Sequence, residues 1–250
     1  MLLHIFVVCD IGCVRDHNED MVLIGEDIFR DDKRELSFEL DEQNKTLFVA
    51  VADGMGGHNA GEVASEIVLR KIGERIKTLE EGLTEKELRE KISQWVKEIH
   101  YYIIEEGNKE IGKKGMGSTL IGALFYGEAA YYINVGDSRL YRFRRGNLLK
   151  ISRDHSLREM TGNENIASNL IINSFGGGEN IFVDFLPIGG KLLTEDILIL
   201  CSDGLSDMLS DNDIESLLDK GNGIDKLLFE AKNKGGNDNI SIVLICIDEI

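Results

Sequence analysis

The chain has 250 residues, a single proline and no low-complexity tract, so it is long enough to bury a full core and shows no linker; one domain spanning 1–250 is expected. Forty-five acidic against 28 basic residues give a formal charge of -17, a sign that repels phosphate backbones and anionic membranes and argues against nucleic acid or membrane partners. The same acidity suits a protein that gathers divalent cations, although most of these carboxylates must be solvated surface. Cys9, Cys13, Cys201 and Cys246 lie in or beside apolar runs without paired spacing, and read as small core residues, neither zinc ligands nor disulfides. The apolar start, Leu2 to Val8, is too short to span a bilayer and lacks a basic flank and cleavage site, so a cytoplasmic protein is expected.

Leu3 to Ile11 reads as a first strand, followed by the charged turn Arg15-Asp16-His17-Asn18-Glu19-Asp20 and a short strand from Met21 to Gly25. Glu35 to Leu40 alternates loosely, as an exposed edge strand would. In Thr46 to Gly61 an apolar run ends abruptly in Asp53 and a glycine-rich turn, which is how a buried strand delivers a carboxylate to the rim of a sheet. Asp-Gly is also a common hairpin turn, so this stretch alone is weak evidence. Val63, Ala64, Ile67, Val68, Ile72 and Ile76 then keep helical spacing from Ala60 to about Leu79. Thr84 and Glu87 form a capping-box pattern before a second helix with apolar residues from Leu88 to Ile103; Trp95, Tyr101 and Tyr102 read as core and core margin.

Beyond Gly115 the pattern changes to strands: Ser118 to Tyr126, Ala129 to Val135, Arg139 to Arg144 and Leu148 to Ile151. The connections Gly127-Glu128, Gly136-Asp137-Ser138 and Arg145-Gly146-Asn147 are short enough to predict antiparallel neighbours. Residues 152–181 are polar and irregular; Ile181 to Leu186 and Ile197 to Cys201 are strands, the second closed by Ser202-Asp203-Gly204. Helical segments at Asp211 to Leu218 and Ile224 to Lys234 precede a last strand, Ile240 to Ile247. The order predicts an α+β layered fold with largely antiparallel sheets and helices outside.

Glu19 with Asp20, Asp53, Asp137, Asp203 and Asp238 all stand at the ends of apolar strands. If they converge they cannot all stay ionised without cations, and an all-oxygen donor set favours magnesium or manganese over zinc. Calcium fits less well, because no loop carries the alternating ligands of an EF-hand. Two such ions about 3.5–4 Å apart would activate a water and neutralise a phosphate, which is hydrolase chemistry. Arg15 could offer a planar fork to phosphate oxygens, or be a solvated side chain in a charged turn.

These segments, taken together, resemble the metal-dependent, type 2C serine/threonine protein phosphatases, and specifically their bacterial branch. Arg15 with Asn18-Glu19-Asp20, Asp53-Gly54-Met55-Gly56-Gly57-His58, Gly117-Ser118-Thr119, Gly136-Asp137-Ser138-Arg139, Ser202-Asp203-Gly204 and Asn237-Asp238-Asn239 occur in the family's order over nearly the whole chain. The resemblance implies two packed antiparallel β-sheets flanked by helix pairs, a four-layer α-β-β-α sandwich. It implies two Mn2+ or Mg2+ ions bridged by Asp53, one completed by Glu19 and the Gly54 carbonyl, the other held by Asp203 and Asp238. Asp20 would bind through a metal water, Arg15 would hold the phosphate, and Asp137 with Asp203 would form a third, weaker site. A bridging hydroxide would attack phosphorus in line, with no phosphoenzyme.

Members of the eukaryotic branch carry a histidine directly after the Asp-Gly pair as general acid; here that place is Met55, leaving His58 and His155 as substitutes. His155 reads better as a turn residue. The segment at about 152–181 reads as a short flap beside the metals, with Asn163, Asn165 and Asn169 as loop residues. The expected activity is hydrolysis of phosphoserine and phosphothreonine in proteins by a monomer opposing a serine/threonine kinase. The alternatives are a catalytically silent scaffold that binds metal and recognises phosphoproteins, and a phosphatase of the same mechanism for a small phosphoester.

Overall fold

The computed structural model describes residues 1–56, 60–167, 170–221 and 223–250. The strands are β1 (Leu2–Asp10), β2 (Met21–Ile24), β3 (Asp27–Phe29), β4 (Asp32–Glu39), β5 (Thr46–Ala52) and β6 (Gly54–Met55). Helices α1 (Ala60–Lys77) and α2 (Glu85–Lys109) follow, then β7 (Gly117–Ser118), β8 (Leu120–Tyr126), β9 (Ala129–Val135), β10 (Arg139–Arg144) and β11 (Asn147–Lys150). The chain continues through α3 (Leu157–Thr161), β12 (Asp184–Pro187), β13 (Ile197–Cys201), α4 (Asp203–Ser206), α5 (Asp211–Asp219), α6 (Ile224–Asn233) and β14 (Ile240–Glu249).

Two six-stranded sheets, ordered β11-β10-β13-β14-β1-β4 and β12-β9-β8-β5-β2-β3, face each other, and every pairing within them is antiparallel. The near-continuous apolar strands follow from burial of both faces. In β5, Leu47, Val49 and Val51 enter the core between the sheets, while Phe48, Ala50 and Ala52 enter the layer beneath α1 and α2. In β14, Val243, Ile245 and Ile247 face the inter-sheet core, and Ile240, Ile242 and Leu244 pack under the C-terminal helices. The result is the expected α-β-β-α sandwich. Thr84 caps α2 with the capping box its sequence predicts: its hydroxyl accepts from the Glu87 amide, and the Glu87 carboxylate accepts from the Thr84 amide.

Several expectations need correction. β9 and β10 are not antiparallel neighbours: β9 lies in one sheet and β10 in the other, so Gly136-Asp137-Ser138 carries the chain across the sandwich. The short connection has the length of a hairpin, but both of its strands find better partners, β8 and β13. Cys13 is exposed in the loop after β1, unlike the buried Cys9 and Cys201. Tyr101 and Tyr102 are exposed on α2, although Trp95 packs against the core. The span 152–181 contains α3, capped by Ser156, and the strand expected from Ile181 starts at Asp184. The edge strand expected at Glu35 is real and longer, from Asp32. No described helix is long and apolar enough to cross a membrane.

Candidate metal centre

All the candidate carboxylates lie at one end of the sandwich, where β1, β5 and β13 finish and β2 and β14 begin. Asp53 follows β5 directly, and its backbone is clamped from both sides. The Thr119 hydroxyl accepts its amide at 3.0 Å, and its carbonyl accepts from the Thr119 amide at 2.9 Å and the Ser118 hydroxyl at 3.1 Å. Gly54 donates to the Glu19 carbonyl at 3.2 Å, which joins the mouths of β2 and β5. Asn239 ties the two chain-distant halves together. Its side-chain oxygen accepts from the Glu19 amide at 2.8 Å, and its side-chain amide donates to the carbonyls of Ile11 at 3.0 Å and His17 at 3.1 Å.

Packing here leaves no room for extra atoms. A Cβ at Gly61 would strike the Glu19 carboxylate, and one at Gly204 would strike the Asn239 carbonyl. Gly204→Ala is therefore expected to push the first turn of α4 away from the Asp238-Asn239 turn. It should cost about 1–3 kcal/mol of stability and weaken metal binding, read from a denaturation midpoint and a manganese titration. An unchanged midpoint would show that the turn yields freely.

Charge confirms the convergence. Desolvation, then the neighbouring charges of Asp20, Asp203, Asp137 and Asp238, hold the Asp53 carboxyl well above the ordinary carboxylate range. Burial and Asp203 push Asp137 up to about 8. Burial pushes Asp20 up to about 7 even though Ser202 donates a 2.7 Å hydrogen bond to it, and burial with Asp238 and Asp207 raises Asp203 to about 6. These groups repel one another in the absence of cations.

The oxygens present fit a hard divalent ion. Among the described residues, Glu19 Oε1, Asp137 Oδ1 and Asp203 Oδ1 are buried with no hydrogen-bond partner, which a folded protein tolerates poorly unless something else binds them. Among the described residues, no three histidine, cysteine or carboxylate side chains close around one point. Ions here would keep several of their waters, as magnesium does when one or two carboxylates hold it.

The structure brings Glu19, Asp20, Asp53, Gly54, Asp137, Asp203 and Asp238 together, but not all in the same way. Asp20 is 1% exposed and lies behind the others. Arg15 does not stand free: its guanidinium pairs with Asp238 at 2.6 Å, and both side chains are partly exposed. His155 is buried, accepting from the Gly136 amide at 3.1 Å and meeting Asp184 at 3.2 Å, so both of its ring nitrogens are engaged in holding loops together. His58 and Asn169 lie outside the described residues. Sequence reasoning missed Asp207, whose charge raises both Asp137 and Asp203, and Asn239 as the clamp. Asp207 stands four residues after Asp203, a helical spacing that could have flagged it had α4 been anticipated.

Comparison with known proteins agrees with this geometry. The family model described as protein phosphatase 2C matches residues 24–223. The serine/threonine phosphatase stp of Listeria welshimeri is 31% identical, the match covering 94% of this chain and 92% of that protein. The protein phosphatase PhpP of Streptococcus pneumoniae is 29% identical, covering 99% and 98% respectively. Among solved structures, the Streptococcus agalactiae serine/threonine phosphatase superposes with a TM-score of 0.81 at 27% identity, covering 98% of this chain and 100% of that one. The catalytic domain of the phosphatase PstP, in complex with two manganese ions, superposes with a TM-score of 0.77 at 29% identity over 100% of both chains. With the matched model spanning most of the sandwich and the strand-end carboxylates falling inside or beside it, the chain belongs to the protein phosphatase 2C family.

Proposed function

We propose that this chain hydrolyses phosphoserine and phosphothreonine in proteins, with divalent metal ions held among Glu19, Asp53, the Gly54 carbonyl, Asp203 and Asp238. The observation that carries the reading is the set of buried carboxylate oxygens on Glu19, Asp137 and Asp203 that lack a hydrogen-bond partner among the described residues, at one end of a protein phosphatase 2C sandwich. When bound, the ions supply a water acidic enough to ionise near neutral pH and neutralise charge on the phosphoryl group.

The chain's own residues do the rest. Asp53 faces both Asp20 and Asp203 and so is placed to serve two ions; its clamped backbone fixes the direction of the carboxylate. Asp20, buried beside it, is oriented by the Ser202 hydroxyl and would hold an ion through a bound water. Arg15 reaches across from the β1–β2 loop to Asp238; exchange of that partner for substrate places a planar, bidentate donor on the phosphate. Asp137 and Asp203, with Asp207 close by, suit a third, weaker ion. The described residues of the segment 152–181 serve as a flap tied to the centre's own loops: the His155 amide donates to the Gly136 carbonyl, and Phe175 pairs with Ser118. We propose further that the chain works as a single cytoplasmic domain and a monomer, opposing a serine/threonine kinase; the retention of Arg15, Glu19, Asp53, Asp203 and Asp238 disfavours a silent scaffold.

The test is release of phosphate from a phosphothreonine peptide by chelator-stripped protein titrated with manganese, with Asp203→Ala as the blank. Metal-dependent release that the variant abolishes is expected. Manganese binding with no turnover on this peptide or on an aryl phosphate would support the scaffold instead.

A further inference from the structure

Behind the ligand set lies a second group of side chains that no part of the reaction has yet used. β3 is the edge of one sheet and β4 the edge of the other, and only Arg30 and Asp31 join them. Both side chains of this connector turn back onto Asn18-Glu19-Asp20. Arg30 Nε donates to the Asp20 carbonyl at 3.0 Å, while Nη2 donates to the Glu62 carbonyl at 2.9 Å and to the Ser65 hydroxyl at 3.2 Å. Its Nη1 lies 3.5 Å from the Glu62 carboxylate. The Ser65 hydroxyl donates in turn to the Glu19 carbonyl at 2.7 Å. Asp31 accepts from the Asn18 side-chain amide at 2.9 Å, and the Asn18 side-chain oxygen accepts from the Asp20 amide at 3.1 Å.

The guanidinium therefore bonds the mouth of β2 and the first turns of α1 at once. A planar fork spreads its donors over several nitrogens and serves these separated acceptors together, whereas an ammonium carries all three of its donors on one atom. The contact matters because α1 and Glu19 are in close approach: at Gly61 even a methyl group would strike the Glu19 carboxylate. Asp31 also holds its backbone at φ 54°, a region that a non-glycine residue occupies only when its surroundings enforce it.

We propose that Arg30 and Asp31 are positioning residues for the metal centre, fixing Glu19 and Asp20 so that the connector between the two sheets sets the affinity of the ion on the Glu19 side. This rests on the metal-ligand reading given above. Outer groups that orient ligands are worth about 10- to 100-fold in metal affinity.

The experiment is manganese binding by calorimetry to chelator-stripped protein, with the metal-free thermal midpoint measured alongside. Wild type is expected to show two binding events. Arg30→Met should weaken one of them by about 10- to 100-fold and leave the other nearly unchanged. Arg30→Lys should recover part of the loss, since its ammonium can still serve one carbonyl. Asp31→Gly keeps the positive φ without strain and removes only the carboxylate, so it should weaken the same event. Ser65→Ala, which cuts the link to Glu19, should do likewise and carries the test should Arg30→Met not fold. Unchanged binding in these variants, or both events weakened together with a lowered metal-free midpoint, would overturn the proposal. Wild-type protein that takes up no manganese would instead overturn the ligand reading beneath it.

Discussion

Asp53→Asn should separate activity from stability in opposite directions. With metal present, turnover of a phosphothreonine peptide is expected to fall by at least roughly 1000-fold, because the substitution removes the charge proposed to serve two ions. In the metal-free protein the same change should raise the thermal midpoint at pH 8. The carboxylate it replaces is desolvated and faces Asp20, Asp203, Asp137 and Asp238, and a neutral amide of the same shape relieves that repulsion. Calorimetry of chelated wild type and variant, beside a steady-state assay with manganese, reads both arms. A variant that keeps wild-type turnover, or one that is less stable than wild type without metal, would remove Asp53 from the centre of the site.

The second large effect is on pH. Asp203, Asp20 and Asp137 titrate at about 6, about 7 and about 8 in the folded chain, against 3.8 for an ordinary aspartate. Unfolding anywhere between these limits releases protons, so higher pH favours the unfolded chain. The stability these carboxyls contribute is fully present below 3.8 and is lost as pH rises through each folded value. The chelated protein should therefore lose roughly 5 °C or more of thermal midpoint between pH 5 and 8.5, since a tenfold change in proton affinity is about 1.4 kcal/mol, worth about 2–4 °C per kcal/mol in a domain of this size. Asp213 works the other way, pushed down to about 2 by Lys234 and Ser210, but its window closes below this range. Ligation selects the ionised carboxylates, so manganese should restore the midpoint increasingly as pH rises, with proton release on binding. A chelated midpoint that is flat or rises over this interval would contradict the assignment of these groups as a shared, cation-requiring cluster.

Much of this was legible in the sequence for a simple reason: the centre is built where apolar strands stop. β9, β10 and β13 read with their observed bounds because each is a short run, apolar throughout or alternating as in β10, cut off by a glycine-containing or acidic turn. The carboxylates that end such runs were visible one at a time. Their convergence was not, because it depends on which sheet each strand joins, and Gly136-Asp137-Ser138 has the length of a hairpin although it bridges the sheets. The pieces β6, β7 and α4, of two to four residues, carry no periodicity at all; their structure comes from tertiary contacts such as the pairing of Gly54 with Ser118. The roles of Arg30 and Asn239 as clamps were invisible for the same reason. Nothing in a lone charged or amide residue announces that its partners lie 10, 32 or 220 positions away.

In the first sheet, β14 runs between β13 and β1, so the chain's two ends are hydrogen-bonded neighbours from Leu2–Glu249 to Asp10–Ile240. Asp238 and Asn239 lie just before that last strand, and Asn239 is what grips Glu19. On the ribosome, β1 waits for β14 until every element between them has been made, with an apolar edge open that invites wrong pairings. The link between Asn239 and Glu19 consequently forms only after the chain has been made through β14. A truncation that removes Asp238 and the strand after it is therefore expected to be inactive, because it takes away the partner of β1 and the Asn239 side chain that grips Glu19.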